Sequence, residues 1–362
     1  MKRSTLSVAT LGLIVLGLAA CAMKPQTFHA FPDSPNFDAG RKVFVNPQPL
    51  RAVSLVDSVT GLLKMLQGDR RYGPVHALPV DAPDWPLFLR DDGPSRFVWF
   101  GHSTLLARVG GQTVAIDPVL GESVSPLAIH MKRFQPPAAP LSAWPAVDVV
   151  LLSHNHYDHF EEASLRELAQ RKGEAPAHFI VPLGLGVYLQ ALGVAATDIT
   201  ELDWWQAAER AGVRYTLVPA WHSSGRGLRD GGKSFWGGFV IQHKCETVYY
   251  SSDSAYGPHF AEIARRFPRI DLAFIENGQY DRRWPDNHLS PEQTAQVAAE
   301  LQPRRIMPVH WGAYSMAYHP WDEPVRRSLP LLRERGLHEL TPRLGQVFDV
   351  TMPSEAWFLD VE

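Results

Sequence analysis

Apolar positions change their spacing several times along the chain, and each change predicts a different element. Val53, Val56, Val59, Leu62, Leu63 and Leu66 recur at three- and four-residue intervals. That spacing predicts an amphipathic helix whose stripe packs on the main domain or, in a second reading, faces a membrane or a substrate entry. The surrounding residues 23–92 are rich in turn signals, among them Asn46-Pro47-Gln48-Pro49 and Asp81-Ala82-Pro83-Asp84-Trp85-Pro86. From Arg96 onward short apolar runs take over. Phe97–Phe100 and Thr113–Ile116 lie around Gly110-Gly111, a hairpin signal, and Val147–Leu152 reads as a strand buried on both faces. Further strands are predicted at Phe179–Val181, Tyr215–Pro219, Phe239–Gln242, Thr247–Ser251, Leu272–Ile275 and Arg305–Val309. Helices are predicted near Glu161–Gln170 and at Phe260–Arg266, Ser290–Leu301 and Glu323–Glu334. Ser290 reads as the cap of its helix, with Pro291 at the first helical position. Strands and helices alternate without internal repeats, which predicts an α/β (α+β) domain over residues 96–362 behind an extension over 21–95.

Residues 1–20 read as an export signal. Lys2 and Arg3 precede an apolar stretch from Leu11 to Ala20 that is too short to span a bilayer. The stretch ends in Leu18-Ala19-Ala20-Cys21, which resembles the lipobox of bacterial lipoproteins. The resemblance implies cleavage before Cys21 and lipidation of that residue, leaving 342 residues at a net charge of −5. Ala22 after the cysteine resembles the pattern sorted to the outer membrane. The protein is therefore expected in the bacterial cell envelope, lipid-anchored and facing the periplasm, held on a membrane without spanning it.

Composition narrows the classes. Of 362 residues, 45% are hydrophobic and 20% charged, which excludes a mainly disordered chain. A net charge of −3 supplies no basic field for nucleic acid. Two cysteines exclude a disulfide framework; with Cys21 acylated, Cys245 is the one free thiol and is expected to be buried. The 15 histidines matter only if some cluster at metal-ligand spacing.

They do cluster. Ser153-His154-Asn155-His156-Tyr157-Asp158-His159 follows directly on the buried run Val147–Leu152. Two histidines two apart on an extended strand end point the same way, and Asp158 and His159 come where the chain turns. Imidazole with carboxylate suits zinc-like divalent ions. The run resembles the HxHxDH signature of the metallo-β-lactamase superfamily, which implies an αββα sandwich with an N-terminal extension. It also implies ligands just after other strands, and His222, Asp253 and His310 follow predicted strands in the expected order. By resemblance His154, His156 and His222 hold one Zn2+ and Asp158, His159 and His310 a second, with Asp253 bridging and His102 supporting. Two such ions stabilise both the attacking and the leaving oxygen of a displacement and acidify a water toward a pKa of about 7.

Trp99-Phe100-Gly101-His102-Ser103-Thr104, Asp117-Pro118, Val181-Pro182-Leu183-Gly184, Glu201-Leu202-Asp203-Trp204-Trp205, His288-Leu289-Ser290-Pro291-Glu292 and His310-Trp311-Gly312 narrow the resemblance further. They are similar to the N-acylphosphatidylethanolamine phospholipase D branch, over about Phe97 to Arg335. That implies a phosphodiesterase cleaving the head-group ester of a membrane phospholipid, with Asp158, Asp253 and His288 as catalytic candidates and His288 at the substrate phosphate or leaving group. The Gly-rich stretch Ser223–Trp236 carries Arg226, Arg229 and Lys233, expected as lid cations that meet a phosphate. Two departures stand out. The branch has Gly-Asp-Thr-Gly-Tyr where this chain reads Ser252-Asp253-Ser254-Ala255-Tyr256, and a more apolar stretch in place of Glu276-Asn277-Gly278-Gln279-Tyr280-Asp281. If Glu276 and Asp281 face the mouth, they disfavour a polyanionic substrate. Lactone or carboxylic ester hydrolysis on the same metals stays open as an alternative, as does a non-catalytic envelope module.

Overall fold

The computed structural model describes residues 28–51, 54, 56, 57, 60, 72–125, 131–171, 175–227 and 229–361. The export signal, Cys21 and most of the predicted 53–66 helix lie outside the described residues. No helix among those described is long and apolar enough to cross a membrane.

Fifteen strands are described: β1 Phe37–Asp38, β2 Val43–Phe44, β3 Arg96–Trp99, β4 Leu105–Val109, β5 Gln112–Ile116, β6 Val149–Leu151, β7 His178–Pro182, β8 Ile199–Leu202, β9 Ala207–Arg210, β10 Val213–Val218, β11 Gly238–His243, β12 Glu246–Tyr250, β13 Leu272–Glu276, β14 Arg305–Val309 and β15 Val347–Phe348. The α-helices described are α1 Trp85–Phe88, α2 Glu162–Ala169, α3 Gly186–Ala191, α4 His259–Arg266, α5 Pro291–Leu301 and α6 Glu323–Glu334. The strands form a seven-stranded sheet in the order β15-β3-β4-β5-β6-β7-β8, a six-stranded sheet in the order β14-β13-β12-β11-β10-β9, and the small β1-β2 pair.

Continuous apolar runs follow from burial on both faces. Along β3 to β6, Phe97, Trp99, Leu105, Ala107, Val114, Ile116, Val149 and Leu151 face the other sheet. Phe97 meets Phe274 of β13 across that interface, with ring centroids 5.3 Å apart. The alternate residues Val98, Leu106, Ala115 and Val150 pack with Leu165 and Leu168 of α2 and Leu189 of α3. On the other side, Phe260 and Ile263 of α4, Val297 and Ala298 of α5, and Val325, Leu329 and Leu332 of α6 join the larger core cluster. Ser290 caps α5 with a full capping box, its side chain accepting from Gln293 N while Gln293 reaches back, as predicted.

Three details differ from the sequence reading. The Gly110-Gly111 turn joins β4 to β5, not Phe97–Phe100 to Thr113–Ile116; β4 lies between them and pairs with both. Both glycines take positive φ, 57° and 78°, which the two-residue turn requires. The polar strands β8 and β9 are edge strands with half-exposed residues, so they lack an apolar run. Cys245 is exposed, because it sits in the β11–β12 turn rather than in a strand.

Direction within the sheets positions the site. In the first sheet β5 to β8 are parallel, and β3 runs with them because two antiparallel pairings separate it from β5. In the second, β12, β13 and β14 are parallel and β10 runs the same way, two antiparallel pairings from β12. The carboxyl ends of nine strands therefore collect along one edge of each sheet. The edges are stitched together where His102, after β3, bridges Trp311, after β14: His102 N donates to Trp311 O at 2.6 Å and His310 N to His102 O at 2.9 Å.

Gly278 leaves no room at this edge, since a Cβ there would lie 2.3 Å from the His310 carbonyl oxygen. Gly278→Ala is expected to cost about 1–3 kcal/mol of stability, the usual penalty of overpacking, read as a lower urea midpoint with an unchanged m-value.

Candidate metal centre

The ligand run begins two residues beyond Leu152, the last of the apolar run on β6, and leaves the strand as a tight turn. His159 N and Phe160 N both donate to the His156 carbonyl, at 3.1 and 2.8 Å. The turn sets His154, His156, Asp158 and His159 around one space. His222 enters from the end of β10, Asp253 from the end of β12 and His310 from the end of β14.

The residues expected to bind metal come together in the expected groups. His154, His156 and His222 form one set whose ligand atoms lie within 4.8 Å of one another; Asp158, His159 and His310 form a second with His102. In the first, His154 Nε2 and His222 Nε2 lie 2.9 and 3.1 Å from His156 Nδ1. In the second, His159 Nε2 lies 3.4 Å from Asp158 Oδ2. Asp253 stands between the sets. Its Oδ1 is 3.1 Å from both His159 Nε2 and His310 Nδ1, while its Oδ2 is 3.8 Å from His154 Nε2 and 3.7 Å from His222 Nε2.

A second layer of hydrogen bonds fixes which nitrogen faces inward. His159 Nδ1 donates to Asp117 Oδ2 at 2.7 Å, and His222 Nδ1 donates to the Asn287 carbonyl at 3.1 Å. Ser153 Oγ donates to Asp117 Oδ2 at 2.5 Å and accepts from His154 Nδ1 at 3.0 Å. In each of these three imidazoles Nε2 is left with a lone pair for an ion. His102 Nε2 donates to Asp158 Oδ2 at 2.9 Å, the supporting role that the resemblance implies. Asn46 of the extension donates from Nδ2 to the His222 carbonyl at 2.7 Å.

Electrostatics point the same way. Burial holds His154, His222 and His310 well below the ordinary imidazole range and pushes His156 down to about 4, so all four are neutral and able to ligate. Burial would also lower His159, but Asp253, Asp158 and Asp117 outweigh it and raise the group. Asp253 is raised to about 7, chiefly by burial. His159 Nε2, Asp253 Oδ1 and His310 Nε2 are buried and make no hydrogen bond. Polar atoms in that state are costly unless something else satisfies them. Divalent cations fit this donor set: four neutral imidazoles, a fifth drawn to carboxylates that a cation would also serve, two aspartates, and buried polar atoms without a partner.

Residues 112–311, which include every proposed ligand, match the family described as the beta-lactamase superfamily domain. The chain belongs to that superfamily. Its architecture is the metallo-β-lactamase fold, shared with the metallo hydrolase Igni18 of Ignicoccus hospitalis at a TM-score of 0.53 and 20% identity, covering 71% of this chain and 99% of that one. An uncharacterized protein of Mycobacterium tuberculosis is 33% identical over 326 residues, 88% of this chain and 86% of its own. The N-acyl-phosphatidylethanolamine-hydrolyzing phospholipase D 1 of Caenorhabditis elegans is 30% identical over 229 residues, 60% of this chain and 64% of its own. The outer membrane protein RomA of Klebsiella pneumoniae is 45% identical over 96 residues, 26% of this chain and 72% of its own. The protein is accordingly a metal-dependent hydrolase of the superfamily.

Other expected site residues fall differently. His288 lies inside the site, its Nδ1 donating to Glu276 Oε1 and standing 3.8 Å from Asp253 Oδ2. The Ser223–Trp236 stretch does not present three cations to it. Arg226 is buried beneath the ligand run, Lys233 Nζ donates to the Lys42 carbonyl at 2.7 Å, and only Arg229 is simply exposed. The acidic pair does not face the mouth either. Glu276 is fully buried, and its Oε2 accepts from Ser254 N at 2.7 Å. Asp281 accepts from Arg283 Nε at 2.6 Å.

Sequence reasoning gave no supporting role to Asp117, Ser153 or Tyr250, and it placed Glu276 at the mouth rather than behind His288. Asp117 carries a usable signal, because it follows an apolar strand run as His222, Asp253 and His310 do. Tyr250 has none, being one more aromatic in a buried strand. Asp117→Asn is expected to weaken metal binding by about 10–100-fold, the usual effect of losing the acceptor behind a ligating histidine. Competition with a chromophoric chelator reads that change.

Proposed function

We propose that the protein is a dinuclear zinc phosphodiesterase acting on N-acylphosphatidylethanolamine-like membrane phospholipids in the phospholipase D sense. The observation that carries the dinuclear part is the Asp253 carboxylate, whose two oxygens address two separate histidine sets. The substrate class is supported by likeness to the Caenorhabditis elegans phospholipase D 1. An envelope location is supported by likeness to RomA and by the lipobox-like Leu18–Cys21.

Zinc in the two sets would supply Lewis acidity and a water acidified for attack. The chain's own residues do the rest. His154, His156 and His222 form one ligand set, Asp158, His159 and His310 the other, and Asp253 serves both. Glu276 holds His288 through Nδ1, which leaves Nε2 as the nitrogen that can reach a substrate phosphate or the departing head-group oxygen. The carboxylate–imidazole pair orients the ring before substrate arrives, so no orientational freedom is lost during the reaction.

Cleavage in this sense breaks the bond between phosphorus and the head-group oxygen, releasing phosphatidic acid and an N-acylated ethanolamine. Zinc-supplied protein incubated with bacterial membrane lipids is expected to form both, as read by mass spectrometry. Parallel assays with bis-p-nitrophenyl phosphate and a lactone give the alternative its chance: turnover of the lactone alone would sink the phospholipase reading.

Asp253→Ala is expected to abolish turnover and lower bound zinc below two ions per chain, measured by elemental analysis. Full activity with two ions in that variant refutes the bridging role.

A further inference from the structure

We propose that Arg226 is a positioning residue that holds the run His154–His159 in its ligating shape. The residue lies between β10 and β11, far from the run in sequence, yet its side chain is only 4% exposed. A guanidinium stays charged in any protein environment, so burying one is unfavourable unless its surroundings are built for it.

Those surroundings are the non-ligating positions of the run. Arg226 Nη1 donates to the Asn155 carbonyl at 3.0 Å and to the Phe160 carbonyl at 2.7 Å, one inside the run and one just beyond it. The guanidinium carbon lies 3.9 Å from the centroid of the Tyr157 ring and 5.2 Å from that of Phe160. Nη2 lies 3.4 Å from Glu162 Oε1 at the start of α2. The contact is returned from the other side. Tyr157 donates its hydroxyl to the Arg226 carbonyl at 3.1 Å, and Asn155 Oδ1 accepts from Gly225 N at 2.7 Å.

Arg226 is itself anchored. Asp230 accepts from the backbone N–H of Arg226 at 3.0 Å and of Gly227 at 2.7 Å, and from the Tyr188 hydroxyl at 3.0 Å. Asn155 and Tyr157 alternate with the ligands His154, His156 and Asp158. A clamp on the first two and on Phe160 therefore fixes how far the chain between the ligands can open. Both carbonyl bonds come from one nitrogen, so the arginine-specific part of the contact is the flat guanidinium lying on the Tyr157 ring; lysine offers a point charge without that plane.

The test reads metal affinity, so it stands apart from the substrate proposed above. Arg226→Ala is expected to bind zinc about 10–100-fold more weakly in chelator competition, the range seen when groups supporting ligands are lost. Its cobalt-substituted form is expected to show an altered visible spectrum. Arg226→Lys should recover only part of the affinity. Guanidinium chloride at non-denaturing concentration should restore Arg226→Ala toward wild type, and equimolar urea should not. If Arg226→Ala does not fold, Tyr157→Leu, which removes the ring beneath the guanidinium, reads the same quantity and is expected to weaken zinc several-fold. Wild-type affinity with an unchanged cobalt spectrum in Arg226→Ala, or in Tyr157→Leu where that stands in, overturns the proposal. So does a loss that lysine and guanidinium leave untouched. A wild-type chain that binds no zinc overturns both proposals; one that binds zinc but cleaves no phosphodiester overturns only the substrate reading.

Discussion

The site depends first on one buried carboxylate that is not proposed to touch an ion. Asp117 is wholly buried at the end of β5, where an unpaired charge would be prohibitive. It is satisfied by four donors: Ser153 N at 2.8 Å, Ser153 Oγ at 2.5 Å, His159 Nδ1 at 2.7 Å and the Tyr250 hydroxyl at 2.6 Å. These come from the ligand run after β6 and from β12 of the other sheet. The need to satisfy one anion therefore fixes the start of the run, the tautomer of His159 and the approach of the two sheets together. Within such a network the loss of one partner strands the others, which makes the arrangement rigid.

Backbone strain gathers at the same edge. His102, Asp117, Ser252 and His310 all have positive φ, at 53°, 39°, 58° and 72°, although none is glycine. Such conformations persist only where the surroundings over-determine them. Here the surroundings are visible: the His102–Trp311 bridge, the Asp117 network, and Trp311 packed with Trp99 at 5.1 Å and Trp357 at 5.7 Å between centroids. Strand ends stop being extended where their side chains must turn toward one point. The aromatic layer beneath absorbs the cost of holding them there.

What was legible in the sequence follows the range of each interaction. Strands buried on both faces announce themselves as apolar runs, and the ligand run is dense enough to stand out by composition alone. His222, Asp253 and His310 were singled out because the resemblance implies ligands just after strands and each follows an apolar run. Edge strands β8 and β9 have no such mark, since half-exposed positions admit Thr, Glu and Arg. Glu276 and Arg226 were misjudged for one reason: a charged residue reads as surface unless its partner is known. The partners, His288 and the carbonyls of Asn155 and Phe160, are set by tertiary packing. Charge in a sequence gives the cost of burial but not the direction in which the side chain turns.

The same reasoning changes what the N-terminal extension is for. A proline-rich segment ahead of a domain reads as a spacer, and a spacer can be altered without effect on the site. In this fold Phe44 of β2 stacks on Phe235 at 4.7 Å between centroids, with Phe31 and Phe37 against it. Phe44 N donates to the Gly232 carbonyl at 2.8 Å. That packing seats Asn46, whose side chain donates to the carbonyl of His222 and accepts from Trp236 Nε1 at 3.3 Å. His222 is thus held from both sides, by Asn287 at its ring and by the extension at its backbone. An aromatic wedge built on three phenylalanines places a polar contact directly on the backbone of His222. The extension is therefore packed against the histidine cluster, with Asn46 tying it to the backbone of His222.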